Sequence, residues 1–140
     1  MVLAMVLVGV VGAFAIFYMP SLSKSQLDVA ANQVASDITY AQQNAMTTGT
    51  TSGVNFVSGG AYTVYQGTTA TPLVSPLTHQ NMVTTLSARY PGVSITNSYT
   101  VEFNNFGSPT TGGGGGVTIS SNGQTHTISV TANTGLVTIQ

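Results

Sequence analysis

The side chains able to do acid–base, metal or nucleophilic chemistry are few: His79 and His126, the carboxylates Asp28, Asp37 and Glu102, and many serine and threonine hydroxyls. Paired-carboxylate catalysis needs two acids in one cleft. Asp28 and Asp37 sit nine positions apart, about 13 Å along a helix axis. That spacing reads as a solvated face or as local hydrogen-bond partners, with Asp37 a candidate to bond loop backbone elsewhere. His126 alternates with Thr125 and Thr127 in a strand pattern, and His79 lies in a proline-rich stretch. With no cysteine and no neighbouring carboxylate pattern, the histidines do not assemble a zinc set. They also lack a visible partner to orient an imidazole. The serines carry no G-x-S-x-G and no triad spacing. The expectation is a chain that is not an enzyme, with no metal and no cofactor.

Two further features invite chemistry and read more simply as structure. Residues 112–116 are five consecutive glycines. An anion-cradling loop would lead into a helix N-terminus and usually a lysine. This run leads into Val117-Thr118-Ile119, a strand pattern, so it reads as a flexible connection between strands. The six tyrosines, Tyr18, Tyr40, Tyr62, Tyr65, Tyr90 and Tyr99, read as filling of a small β-rich core and of subunit contacts.

Charge narrows the function classes further. Lys24, Arg89 and the three acids are the only charged residues among 140, giving a net charge of −1. An ordinary soluble domain devotes about a quarter of its residues to charge. Little self-repulsion keeps such chains apart, which suits a subunit that associates. Two cations far apart in sequence make a weak footprint for phosphate, so nucleic acid is not an expected partner.

The elements that must position these residues begin with an uncharged apolar run, residues 1–19. As a helix it would span roughly 28 Å, close to a bilayer hydrocarbon core. A secretory signal would carry a basic flank ahead of the run, and none is present. A plain membrane anchor fits the length but does not explain why a helical pattern resumes directly after Pro20. The favoured reading is a segment that first spans lipid and later packs on other helices, since both surroundings are apolar. Ala4, Gly9, Gly12, Ala13 and Ala15 would permit close helix approach.

From residue 21 the apolar period is helical: Leu27, Ala31, Val34, Ile38, Ala41 and Ala45 share one face. Asp28, Gln33, Asp37 and Asn44 fall mostly on the other, and Lys24 and Asp28 stand at i,i+4 spacing. Gly49 is a natural stop. The spacing predicts one long rod, on the order of 70 Å, kinked or locally opened at Pro20. Beyond it, residues 54–56 and 61–65 alternate around Ser58-Gly59-Gly60 and read as a β-hairpin. Further strands are expected at 93–96, 99–103, 117–120, 125–130 and 136–139, with tight turns at Asn122-Gly123 and Asn133-Thr134-Gly135. The fold class is α+β: a long N-terminal helix packed on a mostly antiparallel β-sheet head. The expected organisation is residues 1–20 as the apolar helix, 21–49 as the amphipathic helix of the head, and 50–140 as the β-rich head.

These residues carry a family pattern. Val34-Ala35-Ser36-Asp37-Ile38-Thr39-Tyr40-Ala41-Gln42-Gln43-Asn44-Ala45 runs on to Thr48-Gly49 and a first hairpin. Phe103-Asn104-Asn105-Phe106-Gly107-Ser108-Pro109 follows an F-x-x-x-G-x-P pattern, and Val130 through Thr134-Gly135-Leu136-Val137 closes the chain in a TG-containing one. In this order the segments resemble the type IV pilin-like proteins and type II secretion pseudopilins of the GspH/FimT type. The resemblance implies a pilin fold, processing by a prepilin peptidase, N-methylation of Met1, and handling by pilus assembly machinery. It also implies an inner-membrane location before assembly and a cell-surface or extracellular filament after it.

On that reading the chain is a structural subunit that homopolymerises into a helical filament serving adhesion, motility or surface attachment. The core contacts would be Val2, Leu3, Val6, Leu7, Val10, Val11, Phe14 and Phe17. Two departures bear on its place there. The family usually carries glutamate where this chain has Met5, and Pro20 is similar to the helix-breaking proline of major pilins. Both favour a main filament subunit. The alternative is a minor pilin or pseudopilin of a type II secretion or DNA-uptake system.

Overall fold

A computed structural model describes the backbone of residues 2–140 and the side chains of residues 22–140. One helix, α1 (Val2–Thr48), leads into the strands. The head half of α1 buries Leu27, Ala30, Ala31, Val34, Ile38, Ala41 and Ala45, which includes every position of the expected stripe. Four of these seven are alanines, so the helix axis can lie close to the strands it covers. The helix ends where Gly49 takes φ +70° and donates its N–H to Ala45 O at 3.0 Å, the left-handed termination that glycine permits.

The strands are β1 (Ser52–Phe56), β2 (Ala61–Gln66), β3 (Val83–Thr85), β4 (Ser94–Ile95), β5 (Tyr99–Phe103), β6 (Pro109–Thr111), β7 (Gly116–Ser121), β8 (Gln124–Val130) and β9 (Val137–Ile139), with a short α2 (Leu86–Arg89) after β3. They form two sheets instead of the single one expected, ordered β3-β2-β1-β5-β6 and β4-β7-β8-β9. Every pairing is antiparallel. The α1 stripe packs against both sheets, and Val54, Phe56, Tyr62, Val64, Val101 and Phe103 of one sheet join Val117, Ile119, Ile128 and Val130 of the other in a shared core. The architecture is α+β, one long helix packed on two antiparallel sheets.

β1 is the central strand of its sheet. Val54 faces Val64 on one side and Val101 on the other, an arrangement of apolar cross-strand pairs. The Asn122-Gly123 turn has φ +49° and +78°, the double positive φ of a two-residue hairpin. Its tip reaches the helix, where Asn122 Nδ2 donates to Ser23 Oγ at 2.6 Å.

The five-glycine connection is tied down, contrary to its expected flexibility. Gly114 N–H donates to Val130 O, Val130 N–H to Gly115 O, and Gly115 N–H to Gly112 O. Tyr99 Oη donates to Gly112 O at 2.7 Å. A Cβ on Gly112 would collide with Thr100 O, so the backbones approach more closely than any other residue would allow.

Candidate functional site

Asp37 and Asp28 fix the helix to one sheet each, and Glu102 joins strands within the five-stranded sheet; none lies on a purely solvated face. Asp37 turns inward and is 7% exposed. Its Oδ2 accepts from Tyr62 Oη at 2.5 Å and its Oδ1 from Gln33 Nε2 at 2.9 Å. Its partners are thus side chains and not the loop backbone expected for it. Asp28 does not pair with Lys24 among the described residues; its Oδ1 meets His126 Nε2 at 2.7 Å. The other ring nitrogen, Nδ1, lies 3.2 Å from Gln140 O. His126 therefore has the acidic neighbour that sequence spacing did not show. Glu102 accepts from Tyr65 Oη at 2.7 Å and Thr111 Oγ1 at 3.1 Å. Each acid has its own partners, and no two share one, so the arrangement fastens elements together and does not build a catalytic pair. Among the described residues no group of three His, Cys, Asp or Glu could hold a metal.

The tyrosines of these contacts titrate abnormally. Burial, then the charge and hydrogen bond of Asp37, pushes Tyr62 far above the usual 10. Burial, then the hydrogen bond to Glu102, raises Tyr65. Burial alone carries Tyr99 up to about 12. A group that holds its proton more tightly when folded adds stability that is complete below its unfolded pKa and lost as pH rises through the folded one. The fold should therefore weaken from about pH 10 upward. Thermal unfolding of the detergent-solubilised chain is expected to fall steeply between about pH 10 and 12, and Tyr62→Phe should flatten that limb.

On one flank of α1, Gln42 Nε2 donates to Gly107 O at 2.7 Å and to Thr134 O at 3.2 Å. One helical amide thus gathers the β5–β6 loop and the β8–β9 turn, the two places where the family-like G-x-P and TG motifs stand. Gly135 has φ +70°, and a Cβ there would come within 2.5 Å of Gln42 Nε2 and 2.7 Å of Gly107 O. Gly135→Ala is expected to cost about 2 kcal/mol, read from urea unfolding of the same detergent-solubilised chain. Next to the clamp stand the exposed Met46, Leu136 and Phe106, the last 81% exposed.

The other flank of α1 faces a groove. Residues 74–81 form a small hairpin, bridged at Val74 and Asn81, which leaves Leu77 at its tip 90% exposed. Between this hairpin and the helix lies a half-open groove of about 460 Å³, lined on the helix side by Gln33, Ser36, Asp37 and Tyr40, with Arg89 also in its lining. Arg89 also lies 5.9 Å from the centroid of the Tyr90 ring. His79, at φ +55°, is exposed in the hairpin and does not meet His126. Sequence reasoning named no groove residue as a binding group, because the lining comes from three separate stretches of chain.

The residues expected to make filament contacts, Val2, Leu3, Val6, Leu7, Val10, Val11, Phe14 and Phe17, lie outside the described side chains, as does the expected break at Pro20. Met1, the expected methylation site, lies outside the described residues altogether. The helix assignment itself runs without interruption from Val2 to Thr48. Among the described residues, no helix is long and apolar enough to cross a membrane.

Comparison with known proteins gives the fold a context. None of the curated proteins matches the chain in sequence. Two crystal structures of the type IV minor pilin FimU from Pseudomonas aeruginosa strain PAO1 share its fold. The P21 form has a TM-score of 0.60 at 14% identity, covering 84% of this chain and 90% of that one. The P65 form has a TM-score of 0.57 at 13% identity, covering 81% and 92%. The family model described as Type II transport protein GspH matches residues 30–135, from the middle of α1 to the turn before β9. With the match spanning most of the helix-on-sheet head, the chain belongs to the GspH family of type IV pilin-like proteins and pseudopilins.

Proposed function

We propose that this chain is a structural subunit that polymerises through residues 1–20 into a pilus-like filament, with residues 21–140 forming the head outside the core. The observation that carries the reading is the division of α1. Its head half spends its apolar face on the two sheets, while the uncharged apolar run of residues 1–19 continues the same helix. A helix that is apolar all round belongs in lipid or among other helices, and a pilin-like subunit uses both in turn. In this reading prepilin peptidase and the assembly machinery act on the chain at the inner membrane, Met1 is N-methylated, and Pro20 lets the helix lengthen as the subunit leaves lipid. The role is structural and not catalytic.

The second reading, a minor pilin or pseudopilin within a filament of other subunits, is favoured by the likeness to FimU, which is itself described as a minor pilin. Shearing the native cell surface and quantifying this chain against all co-purifying pilin-like proteins by mass spectrometry separates the two. A main subunit dominates the sheared fraction and carries a methylated N-terminus. A trace component under one-tenth of the filament mass, or a chain retained wholly in the membrane, contradicts the main-subunit reading.

A further inference from the structure

We propose that the groove between α1 and the residue 74–81 hairpin binds a neutral, polyhydroxylated ligand, namely a saccharide. Its volume of about 460 Å³ falls in the range of small-molecule sites. Its chemistry is that of a hydroxyl reader. Gln33, Asp37, Tyr40, Gln80 and Asn81 are among its lining residues, with Gln33 Nε2 already donating to Asp37 Oδ1. An amide offers a donor and an acceptor side by side, and a carboxylate offers acceptors only. Sugar hydroxyls, which donate and accept at once, satisfy both. Tyr40 adds a flat apolar face beside these polar groups.

Three observations sharpen the assignment. Within the described residues, the exposed side-chain amides of Gln80 and Asn81 and the hydroxyl of the half-buried Tyr40 make no hydrogen bond to the chain, so a ligand there displaces only water. Asp37 is already held by Tyr62 and Gln33, so its orientation is set before anything binds, and little ordering cost remains. Finally, the lining holds one carboxylate, Asp37, and one cation, Arg89. The charges offset each other, so the groove is poorly suited to a phosphate or sulfate ligand, and Pro76, Leu77, Met82 and Val83 in the same lining give a sugar ring apolar surface to lie against beside the polar groups.

Such a saccharide has two sources: a foreign surface met by the head, or a glycan O-linked to a neighbouring copy of this serine- and threonine-rich chain. The inference does not depend on the filament reading, because the groove lies wholly within one head. The test is a printed array of neutral, sialylated and sulfated glycans, probed with the full chain in a detergent lacking a sugar head group and, separately, with sheared surface filaments. Binding to neutral glycans, reduced at least tenfold by Asn81→Ala with an unchanged thermal unfolding curve, is the expected result. Binding by both preparations identifies a foreign glycan. Binding by the solubilised chain alone identifies a groove already filled by a neighbour's glycan. If no neutral glycan binds the solubilised chain, the proposal is overturned. It is equally overturned if only anionic glycans bind and Arg89→Gln removes that binding, or if Asn81→Ala leaves neutral binding intact.

Discussion

Replacing Val10 by aspartate is expected to abolish filaments while leaving the head folded. Position 10 stands mid-way along the uncharged run of residues 1–19. In the proposed core each copy of that run is surrounded by the same run of other copies. A carboxylate among apolar helices has no partner, and an unpaired charge at the centre of an apolar helix costs about 3 kcal/mol. Every subunit added meets that cost again. At about 1.4 kcal/mol per tenfold, the concentration needed for polymerisation should rise on the order of 100-fold. Val10→Leu keeps the apolar character and should polymerise normally. Pelleting of sheared filaments reads the loss, and near-ultraviolet circular dichroism of the solubilised chain reads the head, where the buried Tyr62 and Tyr65 lie on β2. Normal filament yield from the aspartate variant would remove residues 1–19 from the core.

The largest stability effect within the head is expected from Asp37→Ala. The carboxylate is 7% exposed and is the acceptor for both Tyr62 Oη and Gln33 Nε2. Removing it takes the acceptor from the Tyr62 hydroxyl and leaves that buried group only Thr84, at most of the desolvation cost of an unsatisfied donor. The expected loss is about 3 kcal/mol. Tyr62→Phe in turn leaves Asp37 Oδ2 without its donor, with only Gln33 still bonded to the carboxylate, and should cost about 2 kcal/mol. The double variant should therefore lose less than the sum of the two, since neither group is then left without the other. Urea unfolding of the four chains measures the difference. Strict additivity, or a cost for Asp37→Ala below about 1 kcal/mol, would mean that the Asp37–Tyr62 contact does not hold the helix to β2.

What could be read directly from the chain was what local pattern encodes. The three- and four-residue spacing from Leu27 to Ala45 marked the buried face of α1, because a helix presents one side to its support. Gly49 marked its end, and Asn122-Gly123 marked the β7–β8 turn, because few residues tolerate positive φ. The strands that escaped notice lack such patterns. β6 begins at Pro109, β3 spans three residues after a proline-rich stretch, and α2 is a single turn. The separation of the strands into two sheets depends on pairings between distant segments. So do the polar contacts. His126 and Asp28 are 98 residues apart, and Gln42 joins partners 65 and 92 positions away. Asp37 reads as outward-facing from its residue type alone, yet it sits at the edge of the buried stripe, where Tyr62 on β2 supplies a buried donor. The groove needs α1, the 74–81 hairpin and Arg89 together, and no spacing within any one of them announces it.

The most direct test of the central claim is a cryo-electron microscopy map of filaments sheared from the native cell surface. The expected map shows a core of helices formed by residues 1–20 of identical copies, with this head, its two sheets and its α1 flank, fitting the outer density at every position along the filament. A filament whose repeating head is that of another protein, or a core from which residues 1–20 of this chain are absent, would contradict it.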